Sequence, residues 1–470
     1  MVATADPLIA GSYAQASHRP FWLDNPEAPE PQLPLVADTT ADLVIVGGGF
    51  TGLWAAIQAK QDDASRDVVL VEGETIAFGG SGRNGGFCDA TLTHGLPNGI
   101  DRFPDEIATI ERMAAGNFAE LKATIDRFHI ECSWNPSGSM GVAREEHELA
   151  WLPEAAEAGA RFGHEIEVLD REAARAEVNS PTYLGAFWRK DGSALVDPAR
   201  LAWGLARAAR ELGVRIYEST PATALEADGD AVVVRTPHGR VRAHRAILGT
   251  NAYPPLARAI RRYVVPVYDH VLMTEPLTDA QWASVGWRNR QGLFDLTNRF
   301  HYYRPTADGR ILWGGYDANY HWNNGVDPRF ERRDATFHLL ASQFFETLPM
   351  LEGIGFSHAW AGAIDTCSRF SVFWGTALGG RAAYAAGYTG LGVGASRFGA
   401  RVALDLVSGV STERTGLRFV QKKPIPFPPE PLRWLGVNLT IRALARADRR
   451  AGRRGPWLRA LDTVGLGFDS

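Results

Sequence analysis

The sequence predicts an α/β fold with two intertwined domains: a parallel-sheet domain laid down in pieces, and an α+β domain built on an antiparallel or mixed sheet. Three observations predict it. The chain has 470 residues, more than one hydrophobic core usually supports. An apolar run at 43–46 enters a glycine cluster, then a helical pattern through Leu53, Ala56 and Ile57, then a second apolar run at 68–71, which reads as a βαβ unit. Helix and strand alternation returns over 190–260, whereas 261–356 is rich in β-branched and aromatic residues.

Taken in order, prolines at 7, 20, 26, 29, 31 and 34 mark an extended arm over 1–35. The first domain is then assembled from 36–100, 190–260 and 357–412, and the second from 101–189 and 261–356. Residues 101–165 show mostly helical spacing. Within 190–260, a helix over 201–212 precedes strands at 214–217 and 231–234. Strands follow at 264–268 and 270–274, and 300–303 faces 311–313 across a turn at 306–309. A glycine-rich loop at 387–394 leads into a helix over 395–407 that Gly409 ends. A proline-rich connector and a basic helical tail complete 413–470.

Composition narrows the function classes. A net charge of -5 leaves no broad field of either sign, which argues against a nucleic-acid partner and for a small molecule. Cys88, Cys132 and Cys367 have neither metal-ligand spacing nor a disulfide framework, so no metal site is expected. Residues 1–10 lack the features of a secretory signal, and no apolar stretch approaches the roughly 18 residues of a membrane span. The chain is therefore expected in the cytoplasm.

The main motif runs from Val44 to Gly52, with Gly47, Gly49 and Gly52 in G-x-G-x-x-G between strand and helix. Gly47 suits a tight turn, Gly49 the approach of a pyrophosphate and Gly52 close helix packing, with Phe50 and Thr51 opening the helix whose dipole favours phosphate. Glu72 ends the next strand, 20 residues after Gly52, where an acid accepts from a ribose hydroxyl. This is a Rossmann-type, discontinuous dinucleotide domain. Two further loops, Ser81, Gly82, Arg83, Asn84, Gly85, Gly86 and Gly387, Gly390, Leu391, Gly392, offer backbone N–H groups and a helix N-terminus to a flat, negatively charged ring. Three loops in this order favour FAD, with a nicotinamide-only enzyme as the alternative.

These residues resemble the D-amino-acid oxidase superfamily of FAD-dependent oxidoreductases, in particular its γ-glutamylputrescine oxidase-like branch, over roughly 35–412. The string Ser81 to Gly86 is the branch-specific part; lesser matches are 195–198, 248–253 and the hairpin from Tyr303-Arg304 to Gly314-Gly315. The resemblance implies a small amine held over the flavin, hydride passing from the carbon next to nitrogen to flavin N5, and an imine that hydrolyses. It also implies adenine contacts near Val214 and 231–234. Sarcosine-type members hold a substrate carboxylate with a lysine where this chain has Gly394, which argues against a simple amino acid. No lysine occurs between 190 and 422, so the acceptor is open between oxygen and another oxidant. Ala361 stands where some members link flavin through cysteine, with Cys367 nearby, so FAD is expected to be non-covalent.

Arg83 is a candidate for binding an anionic group or facing the flavin, His270 for a cation or proton relay, and Tyr303 with Arg304 for lining the pocket under a Trp360 wall. Loop support and core packing explain the same residues. The tail from 433 onward interleaves arginines with leucines, which reads either as a helix packed on its own protein or as an amphipathic contact with a membrane surface or partner. The leading function is FAD-dependent amine oxidation. A flavin dehydrogenase for a hydroxy acid and a non-catalytic FAD-binding subunit are the alternatives.

Overall fold

The computed structural model describes residues 7–463 and 465–466. Residues 1–6 of the arm, and 464 and 467–470 of the tail, lie outside the described residues. Among those described, eight strands form the first sheet, with Thr39–Val46 near its centre, pairing in parallel with Val68–Val71 on one side and Arg240–Leu248 on the other. Val68–Val71 pairs with Arg215–Tyr217 and Arg240–Leu248 with Ala382–Ala386, again in parallel. Such strands are covered on both faces, which is why Val44, Ile45 and Val46 are all buried.

Phe50–Asp62 packs between helices Pro198–Glu211 and Gly392–Ser408, and its residues 50–60 are buried all round. Even Lys60 is buried, its ammonium donating to the carbonyls of Ala64 and Arg66 at 2.6 and 2.9 Å. Gly409 ends Gly392–Ser408 in the left-handed region at φ 68°, as its position in the sequence predicts.

The second sheet is mixed. Val265–Thr274, Ile311–Gly315, His301–Pro305 and Gly292–Asp295 run antiparallel in that order, and Gly292–Asp295 then pairs in parallel with Ser139–Ala143. Helix Asp334–Thr347 covers its back, burying Phe337, Leu340 and Phe344 against Leu272, Tyr303 and Trp313. Because side chains alternate along a strand, Asp269 and Tyr302 emerge on the opposite face.

Three expectations need correction. The arm is not wholly extended: Pro7–Tyr13 is helical, since proline is tolerated in a first helical turn and the next proline is Pro20. Ile107–Arg127, expected with the second domain, turns Ile110, Ala114, Leu121 and Ile125 into the first core. Phe356–Thr366, expected in the first domain, instead pairs along the length of Val265–Thr274 in the second sheet.

Candidate active site

A cavity of about 1430 Å³ lies where the carboxyl ends of the first sheet's parallel strands meet the front of the second sheet, the usual ligand position in open α/β folds. At its first-sheet end the backbone sets the geometry. Gly47 has φ 109°, and a Cβ there would lie 2.5 Å from the Gly249 carbonyl oxygen. A Cβ on Gly52 would lie 1.9 Å from the Gly47 carbonyl oxygen, so only glycine lets helix and strand approach this closely. Glu72 accepts from the N–H groups of Gly48 and Glu74 at 2.6 and 2.9 Å, and burial raises its pKa. The Ser81 hydroxyl accepts from the Phe50 N–H at 2.9 Å, at the start of Phe50–Asp62.

Of the residues singled out in the sequence, Gly47, Gly49, Phe50, Thr51, Glu72, Ser81, Arg83, Asn84, Gly85, Gly390, Leu391 and Gly392 border the cavity. Gly52, Gly82, Gly86 and Gly387 do not; they let the backbone behind it pack. Arg83 is held on three sides: its guanidinium donates to the Phe78 carbonyl at 2.8 Å and the Ala361 carbonyl at 3.1 Å, and it pairs with Glu331 at 2.5 Å.

His270 and Tyr303 are corrected by strand parity. His270 is fully buried on the back of the sheet against Phe337, neither ring nitrogen has a hydrogen-bond partner, and burial drives its pKa down to about 4. Tyr303 is equally buried there, its hydroxyl 2.7 Å from that of Tyr183. Their neighbours face the cavity instead: Asp269 and Tyr302 border it, and the Tyr302 hydroxyl donates to the Asp269 carboxylate. Burial pushes the Asp269 carboxyl up to about 6, against the opposing pull of that hydrogen bond.

Arg304 and Trp360 lie behind the wall. Arg304 donates to the carbonyls of Gly86 and Val196 at 3.2 and 2.7 Å, and the Trp360 indole donates to the Arg83 carbonyl at 3.0 Å. Both brace the Ser81 to Gly86 loop from below. Val214 and the strand Ala231–Arg235 do not border the cavity, whereas Pro221 and Ala222 do, because the chain leaving Arg215–Tyr217 passes the Glu72 end. At Gly394 a Cβ would lie 2.2 Å from the Asp89 carbonyl oxygen, so this backbone leaves no room for a side chain.

Sequence reasoning also missed Asp365. Its carboxylate lies on the cavity wall and accepts from the Gly387 N–H at 2.6 Å, and burial pushes its pKa up to about 7 although the Gly387, Tyr388 and Thr389 N–H groups pull it down. Tyr388 then ties the last glycine loop to the first, its hydroxyl accepting from Thr51 Oγ1 at 2.9 Å. The glycine loops themselves were the only signal in the sequence for this linkage. The open backbone at Gly47 and Gly52, the acid closing the second strand and a cavity continuing well past it together fit a dinucleotide bearing a large ring.

The family described as FAD dependent oxidoreductase matches residues 42–406. Gamma-glutamylputrescine oxidoreductase from Escherichia coli (strain K12) is 33% identical over 402 residues, covering 83% of this chain and 88% of that relative. A probable oxidoreductase, OrdL, from Haemophilus influenzae is 26% identical over 411 residues, covering 85% and 90%. Glycine oxidase from Geobacillus kaustophilus shares the fold at a TM-score of 0.68 and 20% identity, covering 82% of this chain and 100% of that one.

Proposed function

The chain belongs to the family of FAD-dependent oxidoreductases, and from that premise we propose that it oxidises a small primary or secondary amine at the carbon next to nitrogen. The observation that carries this reading is Asp269, a half-buried carboxylate on the cavity wall whose pKa of about 6 suits it to take a proton from an ammonium group near neutral pH. The similarity to a gamma-glutamylputrescine oxidoreductase supports an amine over a hydroxy acid.

Gly47, Gly49, Phe50, Thr51 and Ser81 would hold the pyrophosphate, Glu72 a ribose, and the loops ending at Gly86 and Gly392 the ring. Bound FAD supplies an acceptor for hydride. Ala361 offers no nucleophile, and the Cys367 thiol is turned onto the carbonyls of Ser371 and Gly387 at 3.2 and 3.4 Å, which supports a non-covalent cofactor. The N-terminus of Gly392–Ser408 borders the cavity and favours negative charge there.

Asp269 accepts one proton from the substrate ammonium, which leaves a neutral amine whose lone pair assists loss of hydride from the adjacent carbon; the iminium ion so formed is hydrolysed by water to a carbonyl compound and an ammonium product. Tyr302 orients Asp269 through its hydroxyl. Arg83, paired with Glu331, forms the wall across which the rest of the substrate extends. The test is an anaerobic absorbance spectrum of the FAD-loaded protein before and after a panel of amines, amino acids and hydroxy acids. Bleaching by an amine is the expected result; bleaching by hydroxy acids alone would overturn the proposal.

A further inference from the structure

The helix Leu432–Asp448 lies beyond the part of the chain that matches the family. Leu432, Leu435, Leu439, Arg442 and Arg446 on it, and Arg449 at its C-cap, are exposed and spaced by threes and fours along one stripe. The first half of that stripe is apolar and the second half cationic. Leu432, Leu435 and Leu439 are 60%, 54% and 46% exposed, where a helix packed on its own protein would turn them inward. Trp457 joins them, its indole donating to Thr440 Oγ1 at 3.0 Å.

The helix cannot roll to hide this face, because its other side is fastened. Arg433 is buried and donates to the Pro428 carbonyl at 3.0 Å, and Asp448 pairs with Arg299 at 3.0 Å. Among the described residues from 432 onward the acids are already engaged: Asp448 there, and Asp462 with Arg454 at 2.8 Å. Among the described residues, Arg442, Arg446 and Arg449 take part in no ion pair.

We propose that this face seats the protein on an anionic lipid surface. The stripe divides along its length: its leucines, with Trp457 beside them, can enter the acyl boundary at one end, while the unpaired arginines at the other end meet phosphate headgroups. The local positive charge stands out from a chain of net charge -5, so the field orients this face toward the lipid. A second copy fits poorly, since twofold pairing of antiparallel helices sets leucines against arginines. Among the described residues no helix is long and apolar enough to cross a membrane, so the contact is with the surface. The three leucines also border the cavity, and docking therefore places its opening at the bilayer.

The test is co-sedimentation of the full, FAD-loaded chain with vesicles of phosphatidylcholine alone or mixed with phosphatidylglycerol, at low and high salt. Binding is expected on the anionic vesicles at low salt. The triple change Arg442→Gln, Arg446→Gln, Arg449→Gln should weaken it roughly a hundredfold, and the double change Leu435→Ser, Leu439→Ser should abolish the part that survives high salt. Both variants alter exposed side chains, and an unchanged melting temperature verifies that they fold. Three results would overturn the proposal: no sedimentation with anionic vesicles, equal binding to both vesicle types that ignores the arginines, or a concentration-dependent dimer that the leucine changes dissolve without any lipid binding.

Discussion

The two sheets serve one cavity by different means. The first offers it mainly backbone: the turn at Gly47, the N–H groups opening Phe50–Asp62, and the loop beginning at Gly387, each held by a carboxylate or hydroxyl from elsewhere in the chain. The second offers side chains, Asp269 and Tyr302, on one face of a sheet whose other face, with His270 and Tyr303, is packed dry under Asp334–Thr347. A backbone site fails when a Cβ intrudes. A side-chain site fails when one functional group is replaced, and tolerates changes one residue away.

The largest effect should come from the first sheet. Gly52→Val puts a branched side chain where even a Cβ lies 1.9 Å from the Gly47 oxygen, costing about 3 kcal/mol or more; the purified variant should carry no flavin absorbance, and a yellow, normally melting protein would refute the close-approach argument. Next, Asp269→Asn should lower kcat/KM by a factor on the order of 100 to 10,000, while His270→Asn leaves it within about twofold. Rapid-mixing measurement of cofactor reduction separates the two, and equal losses would mean that strand parity does not divide the sheet as described.

A smaller effect concerns pH. Asp269 keeps its proton up to about 6 in the folded protein, above the ordinary carboxyl value of about 4, and only its ionised form accepts a proton. Rate at low substrate should therefore rise as pH increases through about 6, and the rise should vanish in Asp269→Asn. The sign for stability is opposite: the folded state binds the extra proton between those two values, so this group's contribution falls as pH rises across that window. The smallest change is Tyr302→Phe. It removes a hydrogen bond that lowers the Asp269 pKa, so the midpoint of the rate profile should move upward. Tyr303→Phe should instead leave the profile fixed and cost about 1–2 kcal/mol in a melt, because the buried Tyr183 hydroxyl loses its partner.

That division also explains what the sequence made legible. Backbone demands leave glycine at fixed spacing, so Gly47, Gly49, Gly52 and the two later loops can be read directly, as can the acid at Glu72. Side-chain demands leave only a strand, and the face that each residue takes depends on partners far away in the chain. Spacing alone could not distinguish His270 from Asp269, or Tyr303 from Tyr302, because a shift of one residue exchanges the faces. Arg304 and Trp360 were conspicuous for their chemistry, yet that chemistry is directed at the carbonyls of the Ser81 to Gly86 loop. Asp365 carried no local pattern, since its N–H partners lie some 22 residues on.

The bond between Thr51 and Tyr388 joins residues 337 apart, and it has a consequence for biosynthesis. The turn at Gly47 leaves the ribosome early, but the loop that closes over it, and the strand Ala382–Ala386 that pairs with Arg240–Leu248, emerge on the order of tens of seconds later. Until then the nascent chain has half a cradle with nothing to close it. Prematurely terminated polypeptides are thus expected to be colourless, and the yellow of the mature protein becomes a marker that translation ran past Tyr388.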